Sequence, residues 1–399
     1  MAHNPANKVQ DHLVFGEFGG VNPSITDSST FTFLTIAKMK EMFDEGIEGC
    51  FLYSRHMNPS NDNLGRALAQ MEGAEAGKVT ASGMSAIACA ILQICNAGDE
   101  IVSSRTVYGG TYAILKNFFP KFNINTKFVD ITDLEKVEAA ITPNTKVIYT
   151  ETISNPLLEV ADLEKLRALA DKHGIKLIVD NTFSPMIVLP MNFGAHIVVY
   201  SLTKYINGAS DTVGGAILGK KDYVHSLLDL HEGAVMLLGP TMDSLRSSSI
   251  YKNLRTLHIR MHQHSRNGMF IAEELEKSGI KVFYPGLKSH PQHELMKKML
   301  TPGYGFGGMI TVDAKDEETA NQLMMRMQQE MIGYVAVSLG FYKTLFSSPG
   351  SSTSSEIPKE EQAAMGMTPG LVRFSIGLDD DIQRTLDGIK KCMKDVGLL

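Results

Sequence analysis

The chain has 399 residues, of which 43% are hydrophobic and 21% charged, a globular balance that excludes collagen-like, coiled-coil and wholly disordered classes. Lysine plus arginine number 38 against 44 aspartate plus glutamate, a formal net charge of −6, which disfavours nucleic acid as a partner. The four cysteines, at 50, 89, 95 and 392, have neither C-x-x-C spacing nor disulfide-scaffold density, so reduced thiols and a cytoplasmic location are expected. With no uninterrupted apolar stretch of about 18 residues and no export signal at the N-terminus, neither a membrane span nor export is expected.

Residues 16–60 are rich in Gly, Ser, Asn and Pro and predict an extended arm. From residue 78 short β-branched runs alternate with helical periods: KVTASG, EIVSS, TKFVDI, TKVIYTE and KLIVDNT each read as strands, and AHIVVYS and GGAILGK follow near 196 and 215. Such alternation predicts a parallel sheet covered by helices, and runs such as LIVD and IVVY lack period-two alternation because both faces are buried. After about residue 242 long helical stretches surround KVFY, GGMITVD, YVAVSLG and LVRFSIG, which read as strands of a smaller α+β domain. The expected divisions are an arm over 1–60, a main domain over 61–255 and a C-terminal α+β domain over 256–399. The serine-rich stretch 347–369 sits inside that last domain, so it reads as a loop near the site and not as a linker.

Ligands of an open parallel sheet lie beyond the carboxyl ends of its strands. Polar residues stand at several such ends: Asp180 after KLIV, Ser201, Thr203 and Lys204 after IVVY, Glu151 and Asn155 after VIYT, and Ser82-Gly83 before a helix. A helix start preceded by Ser-Gly presents free N–H groups to a phosphate. Each residue alone has an ordinary explanation as a cap or a solvated charge. Together they suit pyridoxal 5'-phosphate, whose aldehyde takes a lysine, whose ring nitrogen takes a carboxylate and whose phosphate takes a helix start. Two other patterns carry no such weight. Gly303–Gly308 satisfies G-x-G-x-x-G but precedes a strand instead of following one. His258, His262 and His264 lack the H-E-x-x-H glutamate and stand among arginines, so they read as a solvated helix face and no metal is expected.

The stretch VVYSLTKYINGASDTVGGAILG resembles the cofactor-lysine segment of the Cys/Met-metabolism family of pyridoxal-phosphate enzymes. YSRHMNPS, TASGMSAI, TVYGGTYA, ETISNPLLEVAD, IVDNTFSP and LVRFSIGLDD resemble the same family's segments in order over nearly the whole chain. The resemblance implies an α/β, aspartate-aminotransferase-like fold of type I, with 61–255 as the cofactor-binding domain. It implies Lys204 as the covalent lysine and proton shuttle, Asp180 on the pyridine nitrogen, and Tyr108 as ring stacker and acid–base group. It places Ser82, Gly83, Met84, Ser201 and Thr203 at the phosphate, with Tyr53 and Arg55 reaching in from a neighbouring subunit. Asn155 would contact the cofactor's 3-oxygen, and Arg373 with Ser338 would hold the substrate carboxylate.

Within the family, FGEFGGVNPSI, MLLGPTM and SLGFYKTLFSSPGSSTSSE look most like plant-type methionine γ-lyases. The implied reaction is elimination of a thiol from methionine by a homotetramer of dimers with shared sites. Lyases of cystathionine, homocysteine or cysteine and homoserine-ester sulfhydrylases are the alternatives. Gly110 stands where many bacterial methionine lyases have Cys, and is expected to leave room beside the leaving group.

Overall fold

Strand-forming runs in the first two-thirds of the chain feed side chains alternately into two apolar layers. On KLIVD, Leu177 and Val179 enter one core cluster and Ile178 the other; on IVVYS, Val198 and Tyr200 part from Ile197 and Val199 in the same way. Neither face is left for polar residues, which is why these runs are uniformly apolar. In the computed structural model, which describes residues 3–44, 50–352 and 355–399, they form a seven-stranded sheet. Its strands are β1 (Ala76–Thr80), β2 (Glu100–Ser104), β3 (Asn125–Val129), β4 (Thr145–Glu151), β5 (Lys176–Asp180), β6 (Ile197–Ser201) and β7 (Gly215–Gly219), in the order β1-β7-β6-β5-β4-β2-β3.

Only β7 runs against its neighbours β1 and β6; the other pairs are parallel. Gly215 pairs with both Thr80 and Ser201, and Asp180 pairs with Glu151. The carboxyl ends of β1, β4, β5 and β6 therefore open on one edge. This is the fold class expected from the sequence.

A second sheet, in the order β10-β11-β12-β9-β8, contains β8 (Val282–Phe283), β9 (Met309–Asp313), β10 (Gly333–Val335), β11 (Thr344–Ser347) and β12 (Leu371–Ser375). Its own core unites Ile271 and Leu275 of helix Leu257–Lys277 with Ile310, Phe346, Phe374 and Ile389. No helix among the described residues is long and apolar enough to cross a membrane.

The structure departs from the sequence reading at four places. The arm contains a helix, Ile36–Asp44, whose Gly- and Ser-rich flanks dilute its periodicity; residues 45–49 of that arm lie outside the described residues. β11 went unread because TLFS runs directly into the serine-rich stretch, and YVAVSLG contributes only its start to β10. Residues 347–369 are not all loop, since they include helix Lys359–Ala364; Thr353 and Ser354 of that stretch lie outside the described residues. The histidine face is not wholly solvated: His264 is fully buried, bonds through Nδ1 to the Ile376 carbonyl at 2.7 Å and is held by burial at about pH 4, while His262 stacks on Tyr304.

Cys89, Cys95 and Cys392 are buried free thiols and Cys50 is half-buried. Burial pushes the thiol of Cys89 up to about 11 and that of Cys95 to about 12.

Helix Pro59–Glu72 lies so close to β1 that a Cβ on Gly65 would strike the Gly77 carbonyl oxygen. Gly65→Ala is therefore expected to lower unfolding free energy by roughly 1–3 kcal/mol through overpacking, although alanine is intrinsically better in a helix by about 1 kcal/mol. The denaturant midpoint of the purified variant checks this; an unchanged or raised midpoint would show that the helix can back away from β1 at no cost.

Candidate active site

At the shared strand edge, a cavity of about 230 Å³ collects the residues expected at the site except Tyr53, Arg55, Gly110 and Ser338. The strand ends explain this. β5 delivers Asp180, β6 delivers Ser201 and then the turn bearing Thr203 and Lys204, and β1 runs through Ser82 into helix Gly83–Leu92. From the second sheet, β12 brings in Arg373.

The helix start is built for close approach. Ser82 caps it: its Oγ accepts the Ser85 N–H at 3.1 Å while Ser85 Oγ accepts the Ser82 N–H at 3.0 Å. The Ser82 hydroxyl is thus engaged in the cap, whereas the N–H groups of Gly83 and Met84, first in the helix, have no intrahelical acceptor. A Cβ on Gly83 would come within 2.7 Å of Ser201 Cβ, so glycine lets the helix sit against the end of β6. The Thr203 hydroxyl accepts the Gly214 N–H at 3.1 Å, fixing the turn before Lys204.

Lys204 Nζ donates to Ser338 Oγ at 3.2 Å. Burial, with a smaller push from the Arg373 guanidinium, brings the amine down to about 8. Asp180 accepts the Thr182 N–H at 2.9 Å and the Tyr149 hydroxyl at 3.4 Å, and burial raises its carboxyl above the ordinary range. Arg373, 3% exposed, donates through Nη1 to Asn155 Oδ1 at 2.9 Å and through Nη2 to the Ser338 carbonyl at 3.5 Å. Burial draws its guanidinium down to about 10, still a cation at neutral pH. Among the described residues, none of Lys204, Asp180 and Arg373 is in an ion pair.

Tyr108 stands at the mouth, 42% exposed, with its hydroxyl held protonated by partial burial and then by the Glu356 carboxylate. Its ring lies over Gly110, where a Cβ would come within 2.5 Å of Tyr108 Cε1. The space expected to be open at Gly110 is therefore taken by the tyrosine ring. Tyr53 and Arg55 lie away from the cavity of their own chain. Tyr53 bridges to Thr30, and Arg55 donates to the Met236 carbonyl at 2.7 Å. The stretch after β11 reaches the mouth from the other side, where Glu361 accepts the Tyr112 hydroxyl at 2.8 Å.

One wall residue stood at a strand end in the sequence without acquiring a role: Glu151, 6% exposed. Apolar side chains of Ile87, Phe183, Val213, Val337 and Leu339 complete the walls. Nothing in the sequence marks these five apart from other apolar residues, and Val213 and Val337 are exposed at the rim while the other three are buried.

A family model described as Cys/Met metabolism PLP-dependent enzyme matches residues 7–393. The chain belongs to that family. Among the family's curated proteins, a methionine gamma-lyase of Arabidopsis thaliana is 45% identical over 369 residues, 91% of this chain and 84% of that protein. A cystathionine gamma-lyase of Bacillus subtilis is 38% identical over 84% of this chain and 89% of its own length. Among solved structures, a putative O-acetylhomoserine (thiol)-lyase of Campylobacter jejuni, which carries an N'-pyridoxyl-lysine-5'-monophosphate, superposes with a TM-score of 0.91. It is 29% identical, and the match covers 98% of this chain and 100% of that one. The family's pyridoxal phosphate fits the donor set found here: an unpaired buried amine, an unpaired buried carboxyl and a glycine-cleared helix start share one cavity.

The Lys204 amine has an ordinary value of 10.5 and a folded value of about 8. Between those values the unfolded chain binds a proton that the folded chain does not, so stability rises with pH there. Cofactor-free wild-type protein is expected to gain stability relative to Lys204→Met across that window. Paired denaturation curves of the two proteins check it, and a difference that stays flat or shrinks would contradict the lowered amine.

Proposed function

We propose that the protein is a pyridoxal-phosphate-dependent carbon–sulfur lyase acting as a methionine γ-lyase, converting L-methionine to methanethiol, 2-oxobutyrate and ammonia. The observation that carries the reading is the convergence of Lys204, Asp180, Tyr108 and Arg373 on one cavity in a chain 45% identical to a plant methionine gamma-lyase.

Bound pyridoxal phosphate supplies an electron sink for negative charge at the substrate's α-carbon. The Gly83 and Met84 N–H groups with the Ser201 and Thr203 hydroxyls hold its phosphate, and Asp180 holds a proton on the ring nitrogen. Tyr108 would stack on the ring and Asn155 would contact its 3-oxygen. Arg373, fixed by Asn155, grips the substrate carboxylate with the two-pronged geometry a guanidinium provides, and Ser338 assists. Lys204 would anchor the cofactor covalently until the substrate's amino group takes its place, and its released amine, lowered to about 8 by burial, would then accept the α-proton. Tyr108, kept protonated by its surroundings, hands a proton to the departing thiolate.

Further elements of the same reading concern assembly and place. We infer a homotetramer of dimers in which Tyr53 and Arg55 complete a neighbour's site. Exposed Leu13, Phe15, Phe18, Val21, Leu34 and Ile36 along the arm support it, since so many apolar side chains in one segment call for a partner surface. We also propose the division into an arm over 1–60, a cofactor domain over 61–255 and a C-terminal domain over 256–399. Four free cysteines support residence in the reducing cytoplasm.

The Bacillus relative supports a lyase of cystathionine, homocysteine or cysteine as the second reading, and the Campylobacter (thiol)-lyase a homoserine-ester sulfhydrylase as a third. Methionine alone is expected to yield methanethiol and 2-oxobutyrate in equal amounts, and Tyr108→Phe to lower turnover by roughly 10²–10⁴. Specificity constants for methionine, homocysteine, cystathionine and O-acetylhomoserine with sulfide decide the label. A preference beyond about tenfold for any rival, a barrier difference of roughly 1.4 kcal/mol, removes methionine from the name.

Shared sites have a separate test. Inactive Arg55→Ala and inactive Lys204→Ala proteins, mixed under conditions that exchange subunits, are expected to regain activity in hybrid dimers. Proven heterodimers without recovery would mean that each chain completes its own site.

A further inference from the structure

Glu151 ends β4 with its carboxylate turned back on the chain. One oxygen accepts the Tyr108 N–H at 2.7 Å and the other accepts the Asn155 N–H at 2.9 Å. These two backbone groups belong to segments that are 47 residues apart in sequence and have no strand pairing with each other. Tyr108 begins the short helix Gly109–Ala113, and Asn155 lies in the turn after β4. The Asn155 side chain is held in turn by Arg373 at 2.9 Å. One carboxylate therefore spans the two residues that bracket the cavity from the β2 and β4 sides.

Burial there is costly for a carboxylate, and Glu151 has no basic residue within ion-pair distance among the described residues. Asp180 is its Cα partner on β5, so a like charge adds to that cost. An apolar residue or a glutamine at this strand end would avoid both penalties. Burial and the neighbouring Asp180 raise the Glu151 carboxyl well above its ordinary range, so what the side chain supplies is two acceptor oxygens at a fixed spacing, one for each N–H.

We propose that Glu151 is a positioning residue that sets the spacing between Tyr108 and Asn155 and so pre-forms the slot in which the cofactor ring is gripped. The proposal rests on the reading that Tyr108 and Asn155 contact that ring. Glu151 would act on cofactor and substrate through the two residues it holds.

Glu151→Gln keeps the side chain's length but turns an NH₂ group toward one of the two N–H donors. The test reads pyridoxal phosphate binding to cofactor-free protein by absorbance titration, without turnover. Affinity is expected to fall about tenfold, the factor for one lost hydrogen bond. Glu151→Asp, which keeps the carboxyl group but is a methylene shorter, is expected to fall as well, and it carries the comparison if the glutamine variant does not accumulate folded.

Tyr108→Ala and Asn155→Ala are titrated alongside. In the Tyr108→Ala background the glutamine substitution is expected to cost less than half of its effect in wild type, because the residue it positions is gone. Wild-type affinity in Glu151→Gln, with both alanine variants weakened, overturns the positioning role and leaves the ring contacts standing. Wild-type affinity in all three overturns the ring-contact reading and the proposal with it. A full, additive loss in the double variant, accompanied by a lowered melting temperature of the cofactor-free protein, assigns Glu151 to general stability instead and also overturns it.

Discussion

Asp180 and Glu151 are neighbours at the ends of two adjacent parallel strands, and they face the same cavity as Lys204 and Arg373. Four ionisable groups thus share a space where water is scarce. A fold selected for stability alone would pair them or replace them, since buried charge is repaid only by close partners and full hydrogen bonding. Here they are kept apart by the scaffold and satisfied by neutral groups: Ser338 for the lysine, Thr182 for the aspartate, backbone amides for the glutamate, Asn155 and a carbonyl for the arginine. Each remains free to interact with something that arrives, and the opposed demands of solvation and proximity set their proton affinities.

That arrangement depends on how the two sheets meet. The segment between β10 and β11 carries Ser338 to the lysine, and two residues later Gly340 lies against the backbone of Tyr205, where a Cβ would come within 2.6 Å of the Tyr205 nitrogen. On the far side, Arg260 of helix Leu257–Lys277 bonds to the carbonyls of Tyr205 and Ile206. The turn that bears Lys204 is therefore gripped from both sides by elements of the C-terminal part of the chain. Its position is a property of the whole chain more than of β6 alone.

The sequence made the large sheet legible because short β-branched runs alternate with helical periods, and all seven runs became strands; in β5, β6 and β7 burial on both faces leaves the run almost wholly apolar. It was less informative where composition misled: TLFS was absorbed into its serine-rich surroundings, and helix Ile36–Asp44 was hidden by loop-like flanks. Among site residues, those ending apolar runs were visible as polar side chains at a sheet edge, and the family resemblance joined them to Tyr108 and Arg373. Glu151 was visible too, but a side chain that binds backbone N–H groups leaves no pattern in the sequence, since its partners can be any residues. Ser82 shows the converse, because its S-x-x-S spacing to Ser85 already describes a helix cap, and the hydroxyl is spent there.

The thiols have a bearing on what the enzyme can tolerate. No cysteine lines the cavity, and three of the four are buried, two with proton affinities raised far above neutral. Thiolates, not thiols, enter disulfide exchange. An enzyme that releases a small thiol works in the presence of its own oxidisable product, whose disulfide is attacked first by exposed thiolates. With no cysteine among its walls, this cavity offers that disulfide no thiolate to modify. The cavity itself is in this sense redox-silent.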